Sequence, residues 1–203
     1  AHERFDGGWI RFFGGYGHEA VVVFFVLSGF VITFATDTRE NTPSEYFISR
    51  LSRLWSVAIP ALAATLVFDW LGRMMLPALY PAVSAFDLID YLASLGFLNE
   101  IWSLGLIPGS NIPYWSVSFE FMYYVLFGII LFCPYPWLFA VVAAVIVGPR
   151  IMLLMPAWIL GSLAYRRCKS PLSTRTAWLL LIAGAGIALS LALSKVGNLY
   201  ITW

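Results

Sequence analysis

Residues 17–33 read Gly-His-Glu-Ala-Val-Val-Val-Phe-Phe-Val-Leu-Ser-Gly-Phe-Val-Ile-Thr, and from Ala20 to Ala35 the chain carries no charge. A helix made of these residues is apolar on every face, so it must be buried in protein or in lipid. In hydrocarbon no water pairs with the backbone, and a helix satisfies its own amides. Ser28-Gly29 interrupts the bulky side chains and marks a face where another helix can approach closely. Gly17-His18-Glu19 places a titratable pair at the mouth of the helix. Taken alone, the stretch is a transmembrane helix with a polar cap.

The rest of the chain agrees with a lipid environment. Of 203 residues, 61% are hydrophobic and only 11% are charged. The mean hydropathy is +0.82. A soluble domain carries about twice that charged fraction. The net charge of +1 gives no reason to expect a nucleic-acid partner. Cys133 and Cys168 stand alone and form neither a disulfide framework nor a metal motif. Nine Trp and ten Tyr suit aromatic belts at two membrane interfaces.

Outward from the first span, residues 1–19 form a polar, glycine-rich loop. Thr42-Pro43-Ser44-Glu45 is a capping box with proline at the first helical position, so a helix begins there. Its first turns pattern as amphipathic, with Phe47, Leu51, Leu54 and Trp55 on one face and Ser49, Arg50 and Arg53 on the other. Pro60 is expected to kink it, and Asp69 and Arg73 are spaced to pair along one face. Residues 78–113 hold Asp87, Asp90 and Glu100 and no Lys or Arg. Within them 88–106 is expected to be a re-entrant or interfacial helix, too polar for a full span. The fold class expected is all-α: a single polytopic transmembrane bundle over 1–203, truncated at both ends. It has about six complete spans, at 20–36, 57–71, 114–132, 137–147, 151–165 and 177–193, and no internal repeat.

Orientation follows from Lys and Arg. The segments 37–53 and 166–175 share one side and hold Arg39, Arg50, Arg53, Arg166, Arg167, Lys169 and Arg175. That side is expected to be cytoplasmic, which puts the acidic 78–113 loop, His2 and His18 on the other.

In Trp115-Ser116-Val117-Ser118-Phe119-Glu120-Phe121-Met122-Tyr123-Tyr124, the residues Ser116, Glu120 and Tyr124 line one helical stripe. A carboxylate inside a span costs about 2.5–3.5 kcal/mol on insertion scales. Such a cost argues for a bundle-facing Glu120 with a function; a Glu120–Tyr or Glu120–Arg hydrogen bond that only assembles the bundle is the alternative. Arg50 and Arg53 suit bidentate phosphate contact, or equally a lipid-headgroup anchor.

Gly17–Ile32, read as GHEAVVVFFVLSGFVI, resembles the signature of the integral-membrane acyltransferase 3 family, with Phe24-Phe25-Val26-Leu27-Ser28-Gly29-Phe30 its most specific part. The Trp-Ser, Glu, Tyr order of 115–124 and the arginine-rich 46–60 segment are similar to that family as well. The resemblance implies a membrane-bound O-acyltransferase that moves an acyl group, usually acetyl, from acyl-CoA to a hydroxyl of a cell-surface glycan. No bound cofactor is implied, since acyl-CoA is the donor substrate; the expected location is a bacterial inner membrane. It implies His2 as base or transient acyl carrier, ten residues after an arginine that would precede Ala1, with Glu120 as its catalytic companion. It gives substrate-binding roles to His18, Ser28, Arg50, Arg53, Trp115, Ser116 and Tyr124, for acyl-CoA and a carbohydrate acceptor. Without the resemblance, His2 reads as a solvated terminal histidine and His18-Glu19 as a cap or headgroup contact. A transporter or scaffold is the rival reading, because an intramembrane Glu120 and small-residue packing also suit a solute carrier.

Overall fold

The computed structural model describes residues 17–39, 42–78, 85–168 and Arg175. Among them are six α-helices and no strand. We number the helices α1 (Gly17–Arg39), α2 (Pro43–Met75), α3 (Ala85–Leu95), α4 (Trp115–Phe132), α5 (Pro136–Val147) and α6 (Pro149–Cys168). Three are long and apolar enough to cross a membrane: Ala20–Arg39, Pro43–Met75 and Ile112–Phe132. These coincide with three of the six expected spans. The expected span at 137–147 is a helix of 12 residues, about 18 Å long and short of the roughly 30 Å hydrocarbon core. The span at 177–193 lies outside the described residues.

The chain divides into two compact units, residues 1–33 with 157–203, and residues 34–156. In the first, α1 and α6 meet backbone to backbone at Gly29 and Gly161. A Cβ added to Gly29 would fall 2.0 Å from the Trp158 carbonyl oxygen, and one on Gly161 would fall 1.8 Å from the Val26 carbonyl oxygen. Glycine is what lets the two backbones touch. Thr33 Oγ1 donates to the Gly29 carbonyl at 2.8 Å and is hydrogen-bonded to Ser162 Oγ at 2.8 Å. Phe30 meets Tyr165 edge-on at 5.5 Å.

The second unit is built on α2. Its capping box forms as the sequence requires: Thr42 Oγ1 accepts from the Glu45 amide at 3.3 Å, and Glu45 Oε2 accepts from the Thr42 amide at 3.2 Å. Pro60 lies within the continuous helix. α4 runs antiparallel to α2. Near the start of α2, Tyr46 packs against Phe127 and Phe132; farther along, Trp55 reaches Phe121 through the ring of Phe97.

Residues 85–114 double back along α2. The segment starts where Arg73 lies 4.0 Å from Asp87. It descends as α3 until Trp55 Nε1 donates to the Leu95 carbonyl at 3.3 Å. It then returns until the amide and hydroxyl of Ser110 donate to the carboxylate of Asp69 at 2.9 and 2.5 Å. Trp55 is twelve residues from Pro43, the first residue of α2, so the turning point lies about 18 Å along that helix. The helix expected over 88–106 is therefore only Ala85–Leu95, followed by turns. It stops in a Schellman motif: the Leu98 amide donates to Ala93 and the Phe97 amide to Ser94. The left-handed residue of that motif is Phe97, at φ 59°, not the adjacent Gly96. The Phe97 ring, 1% exposed, is seated between Trp55 and Phe121, and that seat holds the unfavourable backbone. The expected Asp69–Arg73 pair gives way because Ser110 takes up both Asp69 oxygens. Gly109 makes this approach possible, since a Cβ there would fall 2.0 Å from Asp69 Oδ2.

Candidate functional site

The α4 stripe opens with a 3-10 turn over Ile112–Tyr114 that feeds directly into the helix. Trp115 packs edge-on against Phe119 at 5.0 Å. Ser116 Oγ donates back to the Pro113 carbonyl at 3.1 Å, so its proton serves the turn. One turn on, Glu120 is 5% exposed. The Tyr124 hydroxyl donates to Glu120 Oε1. The i, i+4 spacing that put these two residues on one stripe thus produces a direct hydrogen bond.

The facing stripe on α2 comprises Tyr46, Arg50, Leu54, Ala58, Leu62, Thr65 and Asp69. Arg50, expected on a polar face with Arg53, is instead 4% exposed, while Arg53 is exposed. From Tyr46 to Leu62 the stripe advances by four residues in a helix of 3.6 per turn, so it drifts around the axis and leaves Arg53 behind. The guanidinium of Arg50 sits 4.9 Å over the Tyr46 ring. Its Nη1 donates to Ser49 Oγ at 2.7 Å and its Nη2 to Thr36 Oγ1 at 3.4 Å. A cation so held has an aromatic face and two hydroxyls for the water it lost.

Tyr46 links the two stripes. Its hydroxyl donates to the Tyr124 carbonyl at 2.9 Å. Arg50 lies one turn beyond Tyr46 on α2 and therefore at the level of Tyr124 and Glu120 on the antiparallel α4. Of the candidate residues, the structure brings Arg50, Glu120 and Tyr124 into one buried network, with Trp115 and Ser116 at the start of α4. Arg53 is not part of it. His2 lies outside the described residues. His18 falls in the first turn of α1, but its side chain is outside them too. Ser28 belongs to the first unit, where it is buried and accepts from Trp158 Nε1 at 3.4 Å.

Sequence reasoning missed a second set of polar residues, at the turning point of the 85–114 segment. Asn99, Glu100 and Ser118 are 1%, 2% and 0% exposed. The Ser118 hydroxyl donates to Asn99 Oδ1. Asn99 Nδ2 donates to the Leu106 carbonyl at 3.2 Å, and the Leu106 amide donates to the Asn99 carbonyl at 3.0 Å. Arg150 Nη1 lies 2.8 Å from Glu100 Oε2. Burial raises the Glu100 carboxyl above its ordinary range, and the Arg150 guanidinium opposes that rise. The available signal was the last of three acids in a loop without cations, Glu100, and a lone cation in the Gly148-Pro149-Arg150 turn, each needing a partner. An open apolar depression of about 330 Å³ lies between Trp102 and the α5–α6 turn, lined by Val141, Val145, Gly148 and Met152 among others. No candidate site residue lines it. Among the described residues, no three His, Cys, Asp or Glu side chains converge as a metal would require.

The chain is similar to the exopolysaccharide production protein ExoZ of Rhizobium meliloti (strain 1021), with 31% identity over 152 residues. The match covers 67% of this chain and 42% of ExoZ, so the chain spans well under half of that relative's length. No family model matches it. No solved structure matches it.

Proposed function

We propose that the chain is part of a membrane-bound O-acyltransferase that moves an acyl group, acetyl in the simplest case, from acyl-CoA to a hydroxyl of an extracellular polysaccharide. The observation that carries this reading is the buried Glu120–Tyr124 pair joined through Tyr46 to a buried Arg50. A carboxylate and a guanidinium are costly inside apolar helices, and function is the usual reason they are kept there. The similarity to an exopolysaccharide production protein supports a glycan acceptor. The acyltransferase 3 resemblance of 17–32 and 115–124 supports the reaction class.

The chemistry is acyl transfer. His2, as base, takes the proton of a sugar hydroxyl. The hydroxyl oxygen bonds to the thioester carbonyl carbon, the carbon–sulfur bond breaks, and the CoA thiolate leaves with the proton that the imidazolium returns. Arg50 receives donor phosphate from the cytoplasmic side, and exposed Arg53, three residues farther along α2, offers it a second cation. Glu120, fixed by Tyr124, orients the acceptor or His2.

The test uses the full-length protein in membranes, with radiolabelled acetyl-CoA and its glycan acceptor. Glu120→Gln keeps shape and hydrogen bonding but removes the charge, and transfer should fall by about 10²-fold, the cost of misplacing a reacting group, at normal membrane level. Arg50→Lys loses the planar fork and should raise the KM for acetyl-CoA more than Arg53→Lys does. Full transfer by Glu120→Gln would end the reading.

A further inference from the structure

The turning point of the 85–114 segment holds an unusual concentration of burial and backbone strain. Phe97 and Trp102 have φ of 59° and 47°, and they are the non-glycine residues with positive φ among those described. They bracket Asn99 and Glu100. A side chain in this region costs about 1–2 kcal/mol per residue, and such strain gathers where a function needs a fixed geometry. The residues between the two strained positions turn their polar groups inward, to Ser118 on α4 and Arg150 at the start of α6.

Ser118 is two positions from Glu120, which on an α-helix is about 200° around the axis. A grip on α4 at Ser118 therefore sets where Glu120 points on the far side. The same helix is held on its α2 side by Tyr46, through the Tyr124 carbonyl. Phe97, packed on Phe121 at 5.0 Å, adds an apolar stop beside the Ser118 bond.

We propose that Asn99 and Glu100 are positioning residues: the turn that carries them fixes the rotation of α4 which aims Glu120, and the Glu100–Arg150 pair locks that turn in place. This inference rests on the functional role given to Glu120 above. It separates the turn from a plain structural staple, for which any stable replacement of the charge pair would serve.

The experiment compares the full-length parent with Ser118→Ala and with the double variant E100Q/R150M. Removing both charges avoids the buried Glu100 carboxylate that R150M alone would leave without its cation, so the double variant should melt close to the parent in detergent. Two readouts follow. One is the rate at which dicyclohexylcarbodiimide, a hydrophobic reagent for buried carboxyl groups, labels Glu120, read by mass spectrometry. The other is acetyl transfer from acetyl-CoA, separated into kcat and KM. In both variants Glu120 labelling should change several-fold, and kcat should fall by as much as about 10²-fold, the cost of a small misplacement of a reacting group. The KM for acetyl-CoA should stay within about twofold. Parental labelling and parental kcat in the stable double variant would overturn the inference. If the parent itself transfers no acetyl group, the acyltransferase reading fails, and Glu120 labelling alone still decides the positioning role.

Discussion

The α1–α6 seam and the seam that the 96–106 turn makes with α4 and the start of α6 are closed in opposite ways. The first closes because side chains are missing: Gly29 and Gly161 let one helix backbone rest on the other. The second closes because polar groups meet inside it, Ser118 with Asn99 and Arg150 with Glu100. Closure by glycine is steric, and any added atom breaks it. Closure by polar pairing depends on both partners, so it fails when one is removed and can survive when both are. The first seam sets how near two helices stand, while the second sets which way one of them faces.

The steepest way to break the contrast is Gly161→Leu. Its Cβ would fall 1.8 Å from Val26 O and 2.9 Å from the Phe30 amide. Both are backbone atoms that cannot rotate aside, so the penalty should exceed the about 1–3 kcal/mol usual for overpacking. The full-length variant should lose its monodisperse peak in detergent. Gly17→Ala, with nothing within 4 Å, is the matched control. A monodisperse Gly161→Leu protein with parental melting would show that this seam is not closed by glycine.

Arg150→Met probes the other seam and should come next, at about 3 kcal/mol, the low end for breaking a buried pair. Its signature is a pH dependence. Burial already raises the Glu100 carboxyl, and losing Arg150 removes the influence that lowers it. The folded state then favours the protonated acid more strongly. That contribution is present at low pH and is lost as pH rises through the raised folded value. The melting deficit against the parent should therefore be larger near pH 8 than near pH 5. An equal deficit at both would place the effect somewhere other than Glu100.

The two seams were unequally legible in the sequence for the same physical reason. Ser28-Gly29 announced a close approach because the signal, small residues in an apolar run, is local. The capping box at Thr42 and the Glu120–Tyr124 stripe were readable likewise, since all their partners lie within one or two turns. The Asn99–Ser118 and Glu100–Arg150 pairs join residues 19 and 50 positions apart, and no periodicity links them. Arg50 was misplaced because a polar residue near a helix start was assigned to a solvated face, whereas the aromatic ring of Tyr46 and the hydroxyls of Ser49 and Thr36 let it be buried. The end of α3 was placed too late for a related reason: Phe97, not a glycine, adopts the left-handed turn, and only its seat against Trp55 and Phe121 explains that.

Phe97→Gly sets two effects against each other. Glycine relieves about 1–2 kcal/mol of backbone strain, while deleting a buried phenylalanine costs about 3–5 kcal/mol. Packing should win, leaving a net loss of about 2 kcal/mol in melting experiments. A stabilised variant would mean that the ring does not hold the turn, and the account of its strain would fall.

The smallest effect should come from Thr33→Val, which removes the hydroxyl between α1 and α6 and keeps the shape. Interhelical hydrogen bonds in membrane proteins average about 0.6 kcal/mol, because the freed partner often finds another acceptor. Ser162 can turn its hydroxyl to a carbonyl of its own helix, so melting should drop by only about 1–2 °C. Ser118→Ala removes a single hydroxyl from the other seam but deprives Asn99 Oδ1, which is sealed from water, of its donor. A buried acceptor left without a partner costs about 1–3 kcal/mol. The deficit of Ser118→Ala should thus exceed that of Thr33→Val measured side by side. The reverse order would mean that the glycine seam relies on its hydroxyl more than on backbone contact, and the distinction between steric and polar closure would collapse.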